Sequence, residues 1–308
     1  MALMTDIGSS ILAKLKNKAK QANISYQQCL QLFFQEEFLR RLAKSPYVNN
    51  FILKGGLFIY TLLKQVELSN FQSRATVDID FLLQHLSNEK NRINEIITEI
   101  ISIPTGFNDV VILEAGKTEP IAIQMKHQGV STQIIGHIKK VRLPFNLDIC
   151  IGDIVVPKPE KRIIKTQLEG YETPKILTYS LESAIAEKFE AMLQRFELTS
   201  RMKDFYDIFY LAQTFDFNGK ILQKALSKTL NNRGTHLETG SLDRIVQLAD
   251  DLSIQVRWRH FIKVMSGSML SLSEIMLTLE AFLRPICEAI IRKTALTNDW
   301  KAKSQEWV

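Results

Sequence analysis

The chain runs to 308 residues, 45% of them hydrophobic, which is enough to bury a sizeable core and longer than one domain usually extends, so two packed domains are expected. Three widely spaced cysteines, Cys29, Cys150 and Cys287, exclude a disulfide framework and a paired-cysteine zinc site and fit a reducing compartment. A net charge of +6 permits a polyanionic partner without naming one, and no apolar run approaches the ~20 residues that span a bilayer, so a cytoplasmic protein with no membrane partner is expected.

The opening MALMTDIGSSILAKLKNKAK places its lysines after a short apolar stretch, the reverse of a signal peptide. Residues 10–43 read as two amphipathic helices, with Ile11, Leu12 and Leu15 in the first and Leu30, Phe33, Phe34, Phe38 and Leu42 in the second. FILKGGLFIYTLL from Phe51 reads as a strand, a tight turn and a helix. In VDIDFLL, Val77, Ile79 and Phe81 alternate with Asp78 and Asp80, which puts both aspartates on one face of a strand. A helix over residues 88–101 precedes four strand-like runs: VVILEA, IAIQMKH, IGHIKKVRLPF and LDICIGDIVV.

Past Pro157 and Pro174 the texture turns helical over residues 181–195, 203–214, 220–230, 242–249 and 273–291. The switch places a boundary near residues 172–179, giving domains 1–175 and 176–308. Basic clusters at 14–20, 139–142, 158–165 and 257–263 read as solvated faces on composition alone. Trp258, between Arg257, Arg259 and His260, reads as a packing residue rather than a platform for an acceptor base, and the five histidines show no metal-ligand spacing.

Asp78-Ile79-Asp80 carries the chemistry. Two like charges held about one strand repeat apart are costly unless a cation neutralises them, and oxygen ligands on a rigid strand suit Mg²⁺. A two-metal transfer site needs a third carboxylate, and Asp148, in the alternating Asn146-Leu147-Asp148-Ile149-Cys150, is the candidate. The plainer reading of the pair is the solvent face of an edge strand. Lys54-Gly55-Gly56 lets backbone N–H groups approach a triphosphate at a helix start; alone, it is an ordinary strand-to-helix turn. Farther on, Ser180 caps a helix on which Ala184, Lys188 and Arg195 share a stripe suited to triphosphate, unless Glu187 and Glu190 occupy its cations. Phe205, Ile208, Phe209 and Ala212 mark the core face of the next helix. On its edge, Asp204 and Asp207 either orient Lys188, Arg195 or a substrate hydroxyl, or serve helix-start electrostatics. Arg74 is placed to meet these acids or phosphate.

KGG, RATVDIDFLL, LDICIGD and YSLESAIAEKFEAMLQRFELTSRMKDFYDIFYL, in this order over residues 51–211, are together similar to the AbiEii/AbiGii nucleotidyltransferase toxin family of the DNA polymerase β-like superfamily. The resemblance implies a mixed-sheet α/β polymerase β-like lobe with a C-terminal helical bundle closing its cleft. It implies Asp78 and Asp80 as metal ligands, Gly55-Gly56 on nucleotide phosphates, and Lys188 with Asp204 or Asp207 completing the pocket. It also implies NMP transfer from NTP with Mg²⁺ or Mn²⁺ onto an acceptor such as the tRNA 3′ end, which blocks translation in a toxin–antitoxin or phage-abortive system with a separately encoded antitoxin. Leu57 stands where many superfamily members carry serine or threonine, and residues 57–77 make a longer gap than is usual there. Two other readings stay open on sequence: a small-molecule, antibiotic-type nucleotidyltransferase, and a non-catalytic RNA- or partner-binding protein of the same fold.

Overall fold

A computed structural model describes residues 6–65, 76–105, 110–121, 129–195, 201–264 and 270–308. The chain divides into two units, one of Met1–Val66, Ala75–Gly152 and Glu160–Thr178, the other of Glu67–Arg74, Asp153–Pro159 and Tyr179–Val308. Among the described residues no helix is long and apolar enough to cross a membrane.

The first unit contains α1 (Ile7–Gln21), α2 (Tyr26–Lys44), β1 (Phe51–Lys54), α3 (Gly55–Gln65), β2 (Ile79–Leu83), α4 (Lys90–Ile101), β3 (Ile112–Ile121), β4 (Gly129–Ile138), β5 (Val141–Cys150), β6 (Glu160–Ile163) and β7 (Lys175–Thr178). Its strands form one sheet in the order β3-β4-β5-β2-β1-β7-β6. The pairs β2–β5 and β1–β7 are parallel and the others antiparallel, the mixed sheet expected. Phe38 of α2 lies against Phe81 of β2, and Phe81 meets Phe51 of β1 edge-on with ring centres 5.4 Å apart, so this face of the central strands is sealed by aromatic packing.

The helix α2 departs from the amphipathic expectation, because every residue from Cys29 to Leu42 is buried, charges included. Those charges are matched locally. Glu37 pairs with Arg40 (2.5 Å) and Arg41 (2.9 Å), and Arg41 also donates to the Val111 carbonyl (2.8 Å). Glu36 accepts from the Gln167 N–H (2.9 Å). The side-chain amides of Gln31 and Gln35 donate to the Val77 carbonyl (2.9 and 3.0 Å), and Gln35 also reaches the carbonyl of Thr76 (3.2 Å). The segment entering β2 is thus held by the polar side of α2. The strand itself begins at Ile79, later than the alternation predicts, and Val77 is exposed.

Beyond β2 the strand-like runs regroup. A turn at Lys139 and Lys140 splits IGHIKKVRLPF, and β5 joins VRLPF to NLDIC, ending at Cys150 rather than running on to Val156. Pro144 is tolerated inside β5 because only residues from Leu147 onward pair with β2. The run beginning at Ile121 continues into residues 122–128, which lie outside the described residues.

The second unit contains α5 (Leu181–Arg195), α6 (Met202–Thr214), β8 (Phe217–Asn218), α7 (Gly219–Arg233), α8 (Ser241–Gln247), a short 3-10 turn, α9 (Leu252–Val264), α10 (Leu272–Arg292), β9 (Asp299–Lys301) and β10 (Glu306–Trp307), the last two joining β8 in a small sheet. The helices follow the expected spans closely, while α9 and the small sheet were not anticipated. Pro285 has no N–H to offer the Ala281 carbonyl, and the Trp307 indole donates there and to the Phe282 carbonyl (3.2 Å each).

Replacing Gln35 with Leu keeps the volume but strips the buried Thr76 carbonyl of its side-chain donor and leaves the Val77 carbonyl to Gln31 alone. We expect a loss of about 1–3 kcal/mol in urea unfolding, with faster amide exchange at residues 77–80.

Candidate active site

Three features of the first unit meet on one side of its sheet. In the parallel ladder Asp80 pairs with Asp148, and in the antiparallel ladder Asp80 pairs with Lys54. Residues in register share a face, so on strands about 4.8 Å apart two carboxylates stand side by side with a lysine on the next strand over. All three strands are interior to the sheet, which overturns the edge-strand reading of the aspartate pair. Asp78 occupies the bend just before β2, and its Oδ1 accepts from the Asn146 amide (3.1 Å). Across β5, Asp148 Oδ1 accepts a short hydrogen bond from Ser131 Oγ (2.6 Å). All three aspartates are half-buried. Lys54 is buried, with its ammonium 3.5 Å from the Cys150 thiol.

The strand β1 passes into α3 without the intervening turn that was predicted; Gly55 is itself the first helical residue and has φ +65°. A side chain there would be strained in the left-handed region. It would also collide, since a Cβ on Gly55 would stand 2.0 Å from Asp80 Oδ2 and 2.8 Å from Asp80 Cβ. The bare backbone at the start of α3 therefore lies directly against the Asp80 carboxylate, followed by Gly56 and, where the superfamily often has a hydroxyl, the buried apolar Leu57. Arg74 lies outside the described residues.

In the second unit Ser180 caps α5 as predicted, its Oγ accepting from the Ser183 N–H (3.1 Å). Lys188 is buried and donates to Asp204 (3.0 Å) and Asp207 (2.6 Å) on α6, whose carboxylates are buried as well. Arg201 also pairs with Asp204 (Nε–Oδ2 2.5 Å). These acids engage Lys188, and Asp204 also lies in the first turn of α6, where a negative charge suits the helix start. Lys188 faces these carboxylates, while Arg195 stands exposed at the last residue of α5, roughly 10 Å farther along the axis.

The family model of the AbiEii nucleotidyl transferase toxin, type IV toxin–antitoxin system, matches residues 37–283. The chain belongs to the AbiEii family. It is a nucleotidyltransferase toxin of that family. Two solved structures are similar to this AbiEii chain. MenT4, a nucleotidyltransferase toxin from Mycobacterium tuberculosis H37Rv, has 14% identity and a TM-score of 0.50 over 90% of this chain and 99% of that one, a likeness of fold. JHP933 from Helicobacter pylori has 16% identity and a TM-score of 0.48 over 87% and 95%. No curated protein matches the chain.

Nucleotidyltransferases of this kind generally use a divalent metal. Among the described residues no three His, Cys, Asp or Glu side chains gather so as to hold a metal ion by themselves. The oxygen donors of Asp80 and Asp148, side by side against the bare Gly55 backbone, still fit Mg²⁺, which takes one or two carboxylates and fills its other positions with water and substrate phosphate.

One cluster of the second unit escaped the sequence reading. Arg233, at the end of α7, meets Asp153 (3.0 Å), Glu187 (3.0 Å) and Glu190 (2.9 Å), and Thr235 donates to Glu190 (2.5 Å). Burial alone would lower the guanidinium, but the three carboxylates outweigh it and hold it above its ordinary value. Glu187 and Glu190 are thus taken by Arg233 rather than by cations of their own helix. Arg233 followed by Gly234 marks a helix end in sequence, but nothing local discloses partners so far along the chain.

Substituting Gly55 with Ala should displace Asp80 and reduce nucleotidyl transfer by about 100-fold or more in a protein that still folds, measured with labelled NTP. Lys188→Met removes the ammonium that two buried carboxylates share, leaving Asp204 only its pairing with Arg201, and should cost about 3–5 kcal/mol in urea unfolding. Burial pushes the Asp204 carboxyl up, yet Lys188 and Arg201 outweigh it and hold it below its ordinary value. Its stabilising contribution is therefore complete at neutral pH and lost as the pH falls through the native pKa. The stability gap between wild type and Asp204→Asn should hold above about pH 5 and narrow as the pH falls below the ordinary Asp value of about 3.9 toward the lower native one, whereas a constant gap removes the charge assignment.

Proposed function

We propose that the Asp78, Asp80 and Asp148 face catalyses transfer of a nucleoside monophosphate from NTP to the 3′-terminal hydroxyl of tRNA, disabling translation. The observation that carries this reading is the in-register pair of Asp80 and Asp148 on interior parallel strands, with the side-chain-free backbone of Gly55 against Asp80. A charged, half-buried surface of this kind suits a substrate that brings its own phosphates and counter-ion.

On this reading Lys54 and the backbone of Gly55 and Gly56 receive the triphosphate at the start of α3, where the helix dipole favours negative charge. Arg74 joins them on its position in sequence alone. Mg²⁺ or Mn²⁺ held by Asp78, Asp80 and Asp148 would supply activation of the acceptor oxygen and charge neutralisation on the leaving group. The acceptor oxygen forms a new bond to the α-phosphorus as the bond to pyrophosphate breaks. Ser131 and Asn146 hold Asp148 and Asp78 in place for that step. Lys188 and Asp207, with Asp204, serve by fixing α5 against α6, and Arg195 attracts phosphate by its exposed charge.

Residues 1–175 act as the catalytic domain and 176–308 as the helical domain. The protein works in the cytoplasm, restrained by a separately encoded antitoxin, and serves phage defence.

The test is incubation with a tRNA pool, Mg²⁺ and each α-labelled NTP in turn, alongside Asp80→Asn. We expect label on tRNA with the wild type, lost in the variant at unchanged thermal stability. Label on an aminoglycoside instead would move the reading to a small-molecule enzyme. Neither label nor NTP binding would move it to a binding protein.

A further inference from the structure

Two basic clusters more than a domain's width apart in sequence meet at one end of the first unit. The helix α1 carries Lys14, Lys16, Lys18 and Lys20 and contains no acidic residue. Its buried stripe is Gly8, Ile11, Leu15 and Ala19. At 100° per residue, Lys14 and Lys18 flank that stripe on one side and Lys16 and Lys20 on the other, so the outward surface of α1 is bounded by lysines along both edges. None of these four ammonium groups has a side-chain partner among the described residues.

The β4–β5 turn is tied to the start of this helix. Lys139 pairs with Asp6, the N-cap of α1, and donates to Ser9 Oγ (2.7 Å). Its stem lies across Gly8, where a Cβ would stand 2.9 Å from Lys139 Cγ. With Lys139 spent on Asp6, the neighbouring Lys140 and Arg142 remain exposed and, among the described residues, without side-chain partners. Six cations without side-chain partners among the described residues are thereby carried by two elements, α1 and the β4–β5 turn, that Lys139 joins.

We propose that this corner, α1 with the β4–β5 turn, binds the phosphate backbone of an RNA acceptor away from the reacting end. The proposal rests on the nucleotidyltransferase reading for a polymeric acceptor. An excess of cations over the nearby carboxylates Asp6 and Glu114, which are engaged by Lys139 and His137, fits a polyanion. The surface of α1 gives no purchase on a lipid interior, because among its described residues Ile7 alone is a large exposed apolar side chain. The strand β5 runs from Val141 beside the turn to Asp148 at the carboxylate face, seven residues or roughly 23 Å. An RNA whose 3′ end reaches Asp148 must therefore extend well into its body to touch Lys140. A short acceptor cannot do so.

The experiment compares the full-length wild type with a variant carrying Lys14→Ala, Lys16→Ala, Lys18→Ala and Lys20→Ala, and with the pair Lys140→Ala and Arg142→Ala. Binding of fluorescent tRNA is followed by anisotropy across KCl concentration without NTP, and transfer is followed on full-length tRNA and on its 3′-terminal trinucleotide. The fourfold variant should flatten the slope of log K against log salt by about 3. It should also raise KM for tRNA at unchanged kcat and leave the trinucleotide reaction as it was. The pair should act in the same direction with a smaller change. Wild-type labelling of tRNA with identical slopes and KM in both variants overturns the basic corner alone. Wild type that neither binds nor labels tRNA overturns the RNA-acceptor reading and this one with it. Binding of anionic vesicles that the fourfold variant loses while tRNA binding stays intact assigns the corner to lipid and also overturns the proposal.

Discussion

Like charges placed side by side on a protein framework repel, and the framework must be stiff enough not to yield. Asp80 and Asp148 face that condition on β2 and β5, each paired on both edges, so neither backbone can move away without breaking two ladders. The side chains are restrained as well. Ser131 holds one oxygen of Asp148, Asn146 holds Asp78, and Gln31 and Gln35 grip the carbonyls that lead into β2. Hydrogen bonds to carboxylates are among the stronger neutral-to-charged contacts a fold can make, and here they direct lone pairs without cancelling charge.

The second unit pairs its buried charges, as α2 does in the first. Lys188 and Arg201 meet Asp204 and Asp207, and Arg233 gathers Asp153, Glu187 and Glu190, so each carboxylate there has a cation within its own unit. Such clusters add little stability over an apolar filling, yet they are costly to break from one side, which makes them good at specifying which helix faces which.

Much of this was legible in the sequence. The alternation around Asp78 and Asp80, the alternation around Asp148 and the double glycine after an apolar strand are all short-range patterns, and they placed the carboxylate face and its backbone neighbour. The spans of α5 and α10 followed from apolar periodicity, with Ser180 marking the start of α5. What stayed hidden depends on partners far along the chain. The burial of Glu36, Glu37, Arg40 and Arg41 was not read, because nothing near them reveals that the Gln167 N–H and the Val111 carbonyl will meet Glu36 and Arg41. Arg233 was invisible for the same reason. The helix α9 was read only as a charge cluster, although Ile254, Trp258 and Ile262 sit at helical spacing and are buried, with the Trp258 indole donating to the Leu270 carbonyl. The turn at Lys139 and Lys140 was lost because its residues carry no glycine or proline to mark it; Lys139 itself takes the left-handed backbone.

The strand β1, which delivers Lys54 and Gly55, sits between β2 and β7, and its pairing with β7 joins Ile52 to Leu177. During synthesis that edge of β1 has no partner until the ribosome has passed residue 178, and Asp80 has no neighbour across the parallel ladder until residue 148 has emerged. Contacts between such distant residues form slowly, since a long loop must be closed before they are rewarded. A translation product broken off before β5 carries Asp78 and Asp80 but lacks Asp148, the carboxylate that stands beside Asp80 in the finished sheet.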